Sequence, residues 1–266
     1  MRRTRLIEAR KALGKTQAQV ADEIGVDRTT VGEWERSDST PRPGQRAAYA
    51  DSLGVTLSEL AAMLSSMPVD AGEIPDWLAT LLANEQSAEA IRKHEPEVID
   101  GLLQTPGYVE AIVRQVGLHG VTDDYLRQNI RQRQHRQQRV RDGSLAYDII
   151  QAEQVLHVRL GDATVMAEQL HTMADLAELP NVTVRILTFD AGQHEIRRLD
   201  SFSIFTHPWG TPTLCIEGYG GARFITEADE VSYFAEVFDA ASRVALSPTD
   251  SITYIREIAR RWETRS

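Results

Sequence analysis

Along residues 1–64, apolar positions recur at three- and four-residue intervals in short bursts separated by turn residues, a pattern that predicts short helices in quick succession. Leu6, Ala9 and Leu13 give the first an apolar face, and Gly14 ends it. A second helix is predicted over residues 17–24 and a third over 28–36. Pro41-Arg42-Pro43-Gly44 breaks the chain before a fourth, which carries Ala47, Ala50 and Leu53. After Gly54, Thr56 caps a fifth containing Leu57, Leu60 and Leu64. Residues 65–75 hold Pro68, Gly72 and Pro75 and read as a linker.

The rhythm then changes. Residues 77–92, 108–116 and 123–141 look helical, and strand-like runs follow at 145–150, 182–189, 201–205 and 213–217. A helix near 164–179 lies between the first two runs, and helices near 227–245 and 249–262 come last. The predicted fold is an all-α five-helix domain at 1–66, a linker at 67–76, and a mixed α/β domain with a small sheet at 77–266. No internal repeat is visible, and the one biased tract is the Arg/Gln-rich helix at 127–141.

Residues 17–36 satisfy the constraints of a helix-turn-helix together. Thr16 is a good N-cap, and Gln19 completes a capping-box pattern. Ala21 supplies the small residue where two helices cross closely. Gly25 can take the left-handed conformation that ends a helix. Val26 fills the core beneath the turn, and Asp27 caps the next helix, whose inward face is Val31 and Trp34. Val20 and Ile24 complete the buried set. The alternative is an ordinary helical hairpin, which has no need for all of these at fixed spacing.

Residues 4–60, with Thr-Gln-Ala-Gln-Val-Ala, Gly-Val-Asp and Val-Gly-Glu-Trp-Glu-Arg, resemble the phage-repressor and Cro-like helix-turn-helix family of the xenobiotic-response-element type. The resemblance implies a lambda-repressor-like domain that lays its second motif helix in the major groove of an operator. On that basis Arg28, Thr29 and Glu33 read bases, with Thr30 and Gly32 beside them. Gln17 acts as a phosphate clamp, and Arg42 and Arg46 are further phosphate contacts. It also implies an Arg10–Glu35 salt bridge and a core role for Trp34. Ser37 departs from the family, which usually has glycine there. A module of about 60 residues covers limited DNA, so a homodimer on two half-sites is expected.

Charge changes this picture only in its distribution. The net charge of −10 opposes a nucleic-acid partner, yet residues 1–50 carry ten Lys+Arg against seven Asp+Glu. No apolar run approaches the roughly 18 residues needed to span a membrane. The start is basic but not followed by a signal core, and the single cysteine, Cys215, cannot form an internal disulfide. Cytoplasmic residence is expected. Enzymatic activity is not: His157, His171, His194, His207, Glu153, Asp200 and Glu217 lack zinc-site spacing, and Gly218-Tyr-Gly-Gly221 lacks the lysine of a phosphate loop. No cofactor or metal is expected.

Residues 77 to about 260 resemble a domain of unassigned function common in actinobacterial regulators. The matching pieces are Glu95-Pro96, residues 101–108 (Gly-Leu-Leu-Gln-Thr-Pro-Gly-Tyr), Arg133-Gln-His-Arg-Gln137, Glu153 with Leu156, Gln169-Leu170, Leu179-Pro-Asn-Val182 and Glu217. His94 stands where an aromatic is common, and Asp100 where proline is common. Such proteins are often encoded beside a very small partner protein, in an arrangement resembling toxin–antitoxin pairs. The resemblance thus implies an alternative role, an antitoxin-like interaction protein whose DNA binding serves autoregulation. Residues 101–108 themselves read as turns feeding Leu102 and Leu103 into the core. The Arg-rich helix reads as a solvated face pairing with the acidic body, against a second DNA contact or partner site.

Overall fold

A computed structural model describes residues 3–36, 39–64, 76–116, 122–218 and 221–265. The expected linker and the departure at Ser37 lie outside the described residues, apart from Asp76. Helices α1 (Thr4–Ala12), α2 (Gln17–Ile24), α3 (Arg28–Arg36), α4 (Pro43–Leu53) and α5 (Leu57–Leu64) come first, then α6 (Asp76–Ser87). Strand β1 (Ala90–Glu95) precedes α7 (Pro106–Val116) and α8 (Asp123–Arg141). Strand β2 (Ala146–Ala152), α9 (Ala163–Leu176) and β3 (Val182–Leu187) follow. Strands β4 (Phe202–Thr206), β5 (Thr213–Gly218) and β6 (Gly221–Ile225) lead into α10 (Ala228–Ser242) and α11 (Pro248–Glu263). The chain is therefore a helical region followed by a mixed six-stranded sheet with helices, in the order β3-β2-β1-β4-β5-β6.

Packing divides the chain into two compact units. One holds residues up to Ala88 with Phe205–Cys215 and the strand at 221–225; the other holds Glu89–Ile204, Ile216–Gly218 and residues from Glu227 onward. The first unit is built on an apolar core of Leu6, Val20, Ala21, Val31, Trp34, Tyr49, Ala50, Leu53, Leu60 and Leu64, all buried. The Trp34 and Tyr49 rings pack 4.9 Å apart at its centre. Leu13 falls beyond the end of α1 and is 49% exposed, so it does not extend the apolar face as expected.

In the second unit β1, β2 and β3 pair in parallel, with Ile91 opposite Tyr147 and Tyr147 opposite Val182. Ser201, just before β4, donates to the His94 carbonyl near the end of β1 (3.2 Å), so β4 runs against β1. Strand β1 corrects the helix expected to run to Arg92. The Ser87 hydroxyl donates back to the carbonyls of Ala83 (2.9 Å) and Asn84 (3.2 Å) where α6 ends, and β1 then pairs with β2. Strand β6 was also not anticipated.

Strand β1 carries Arg92, Lys93, His94 and Glu95 because the second unit is ionic at this point. Lys93 Nζ lies 2.9 Å from Asp100 Oδ2, 3.1 Å from Glu217 Oε1 and 3.8 Å from Glu95 Oε2. Tyr147 donates to Asp100 Oδ1 at 2.6 Å, and so does the Leu102 amide at 2.9 Å. Burial alone would lower the Lys93 pKa, but Asp100, Glu217 and Glu95 hold it well above the ordinary lysine value. Burial works against Asp100 too, yet Lys93 and Tyr147 keep its carboxyl well below the carboxylate range. Leu102 and Leu103 are buried as read, and Gln137 of α8 donates to the carbonyls of Gly101 (3.2 Å) and Gln104 (2.7 Å). Pro106 and Gly107, read as a turn, instead already form the first turn of α7, where proline needs no N–H partner. On α8, Arg127 pairs with Asp124, while Arg133 and Arg136 lie next to Gly101.

Candidate nucleic-acid interface

The Thr16 hydroxyl accepts from the Gln19 amide (3.2 Å), and Gln19 Oε1 accepts from the Thr16 amide (2.8 Å), so two of the orphan donors at the start of α2 are satisfied reciprocally. It ends at Gly25, whose φ of 70° is the left-handed conformation that glycine adopts without strain. Val26 N then donates to Ala21 O at 3.0 Å, closing the turn under the buried Ala21. Asp27 Oδ1 accepts from both the amide (2.7 Å) and the hydroxyl (2.6 Å) of Thr29, capping α3. Those two bonds hold the Asp27 carboxyl below its usual pKa.

The predicted readers do not share one environment. Arg28 and Thr29 are exposed, Thr30 and Glu33 half-buried, and Gly32 buried. The Arg28 guanidinium has no hydrogen-bond or ion-pair partner among the described residues. The Thr29 hydroxyl is already given to Asp27, and Glu33 Oε2 accepts from Ser39 at 3.3 Å. A Cβ at Gly32 would stand 3.0 Å from an Arg36 nitrogen and 3.8 Å from the Gln17 amide. Gly32 thus lets Arg36 and Gln17 close over α3 rather than presenting a group outward.

One buried carboxylate ties three helices together. Glu35, 2% exposed, accepts from Arg10 Nε at 2.6 Å and Nη2 at 3.1 Å, the fork geometry expected of that pair. Gln17 Nε2 also donates to Glu35 Oε2, at 2.7 Å. The Arg10–Glu35 pair is the one that the family resemblance implied; the bond from Gln17 to the same carboxylate had no signal in the sequence. The amide nitrogen carries a second hydrogen, so the tether orients Gln17 and leaves it a donor. Arg3, also missed, donates to Trp34 O (2.7 Å) and Ser39 O (2.8 Å) across the end of α3.

At the start of α2, Arg10, Lys15, Thr16, Gln17, Ala18 and Arg28 line an open depression. Cationic side chains and a helix N-terminus together favour an anion there. Arg42 is exposed, whereas Arg46 is half-buried, donating to Pro41 O at 3.2 Å with its guanidinium 4.5 Å over the Trp209 ring. Among the described residues no group of three or more His, Cys, Asp or Glu could hold a metal ion, and no helix is long and apolar enough to cross a membrane.

Residues 6–60 match the family described as Helix-turn-helix, and residues 78–257 match the one described as Domain of unknown function (DUF5753). The second match covers more than half of the chain. The chain belongs to the DUF5753 family. Within this DUF5753 member, a 56-residue stretch is also 41% identical to the cryptic phage CTXphi transcriptional repressor RstR of Vibrio cholerae serotype O1. That stretch is 21% of the present chain and 50% of the repressor, so the chain spans about half the length of this curated relative. No solved structure matches the DUF5753 member.

Proposed function

We propose that the chain is a sequence-specific DNA-binding transcriptional regulator that reads an operator by laying α3 in the major groove. The observation that carries this reading is the exposed Arg28 guanidinium, without a partner among the described residues, on the first turn of a capped α3 and beside the cationic depression at the start of α2. Arg28 suits the O6 and N7 acceptors of guanine, and Glu33 the N4 donor of cytosine. Thr29 and Thr30 lie beside them on the reading edge, and the buried Gly32 lets Gln17 and Arg36 pack over the helix. Gln17, Arg42 and Arg46 serve the phosphates, which fix register without reading sequence. Binding is non-covalent, needs no cofactor or catalysis, and takes place in the cytoplasm. Two copies are expected on half-sites about one helical turn apart.

The test is selection of bound duplexes from a random-sequence pool by the full-length chain, followed by titration of the enriched duplex at several salt concentrations. A single enriched motif, with affinity falling steeply as salt rises, is the expected result. No enrichment, or binding indifferent to salt, would remove DNA as the partner.

A further inference from the structure

The β4–β5 turn reads His207-Pro208-Trp209-Gly210, and the helix-turn-helix reading leaves its chemistry unused. Gly210 N donates to His207 O at 3.0 Å, and Gly210 has φ 86°. The four residues therefore close a β-turn with proline second and glycine fourth, where each is favoured. Closing it lays the His207 and Trp209 rings face to face, 4.3 Å apart and 6° from parallel. Phe205 extends the stack from His207 at 6.4 Å, and His207 Nδ1 lies 3.4 Å from the Ser87 hydroxyl at the end of α6. Over the Trp209 ring sits the Arg46 guanidinium, 4.5 Å from its centroid.

Arg46 spends only Nε, on the Pro41 carbonyl; its terminal nitrogens have no partner among the described residues. A guanidinium covered on its face keeps its N–H fork in the plane, and that fork matches phosphate oxygens. Burial pushes the His207 imidazole down to about 4, so near neutral pH the stack carries the Arg46 charge alone.

We propose that Trp209 is a positioning residue of the DNA-binding surface, holding Arg46 ready for a backbone phosphate. This rests on the DNA-binding reading above and deepens it. Trp209 lies inside the 78–257 match, so a segment of the DUF5753 region serves the helix-turn-helix instead of merely following it. Ordering the arginine before DNA arrives removes part of the entropy cost of binding.

Full-length Trp209→Ala, Trp209→Phe, Arg46→Ala and the Arg46→Ala/Trp209→Ala double variant are titrated against the selected duplex across a salt series. Arg46→Ala should weaken binding and lower the salt slope by about one phosphate contact. Trp209→Ala should weaken it about five- to tenfold, as loss of a cation–π contact predicts, with the salt slope kept. Trp209→Phe should retain most affinity, and Trp209→Ala should add nothing once Arg46 is gone. If the alanine variant unfolds, Trp209→Leu, which fills space without a π face, repeats the comparison. Wild-type affinity in Trp209→Ala, or losses that multiply in the double variant, overturns the positioning role. When wild type selects a motif but Trp209→Ala is silent, this inference fails alone; a wild type that selects nothing takes both down.

Discussion

The two units hold their polar groups in opposite ways. In the helix-turn-helix the core is hydrocarbon, and the buried carboxylate of Glu35 sits at its margin, where Arg10 and Gln17 reach it. In the second unit the polar groups lie within the sheet: β1, flanked on both sides by other strands, holds the largely covered Lys93 against the buried Asp100 and Glu95 and the half-buried Glu217. Trimming an apolar core opens a cavity but strands no charge. An ionic centre depends on every member, since removing one leaves its partners charged and dry.

The largest test of that contrast is Lys93→Ala. It leaves Asp100 without its buried counter-ion and should cost about 3–5 kcal/mol in denaturant unfolding. A loss under about 1 kcal/mol would mean that the cluster is wetter than its burial implies. Acid acts on both units next. His94 in one and His207 in the other are buried, and burial pushes each down to about 4. An unfolded histidine titrates near 6.5. Between about pH 6.5 and 4 the unfolded chain therefore takes up protons that the folded chain does not. Stability is complete above that window and drains as pH falls through it, by about 3 kcal/mol for each histidine. The Asp100 contribution has the other position: its lowered pKa keeps it intact above about pH 4 and lets it go only below. His94→Phe, whose ring can pack on Phe202, should lose measurably less stability than wild type between pH 7 and 4.5. Equal losses would place the acid sensitivity elsewhere.

Smaller effects probe the helix-turn-helix itself. Arg28→Ala should cost roughly 1–3 kcal/mol in operator affinity and relax preference at one base pair, while Gln17→Ala weakens all sequences about equally. Unchanged base preference in Arg28→Ala would move the reading edge off this residue. Smallest of all, Asp27→Ala removes the α3 cap and should lower stability by about 1 kcal/mol, seen as a drop in Tm.

The same contrast explains what could be read in advance. The α2–Gly25–α3 unit was legible because its signals are local: a capping box, a left-handed glycine and apolar residues a few positions apart. Strand β1 was hidden because its charges are balanced partly by a residue far along the chain, Glu217, beside the nearby Asp100. No periodicity in residues 90–95 announces a partner more than a hundred positions away. At the interface, the Asp27 cap signal fixed the start of α3 and the family resemblance pointed to Arg28 and Thr29, which are exposed there. It could not foresee that Gly32 is buried under Gln17 and Arg36, or that Arg46 lies on Trp209. Those arrangements come from side chains meeting across the fold.

The division of the chain also has a consequence in time. The first unit runs to Ala88 and resumes only at Phe205, with Glu89–Ile204 belonging to the other. On a ribosome adding about 5–20 residues per second, the intervening stretch takes roughly 6–25 s to emerge. Through that interval the nascent helix-turn-helix waits without Trp209 and the strands that complete its unit. The second unit's parallel strands β1, β2 and β3 can pair meanwhile. The first part of the chain to be synthesised is therefore among the last to be finished.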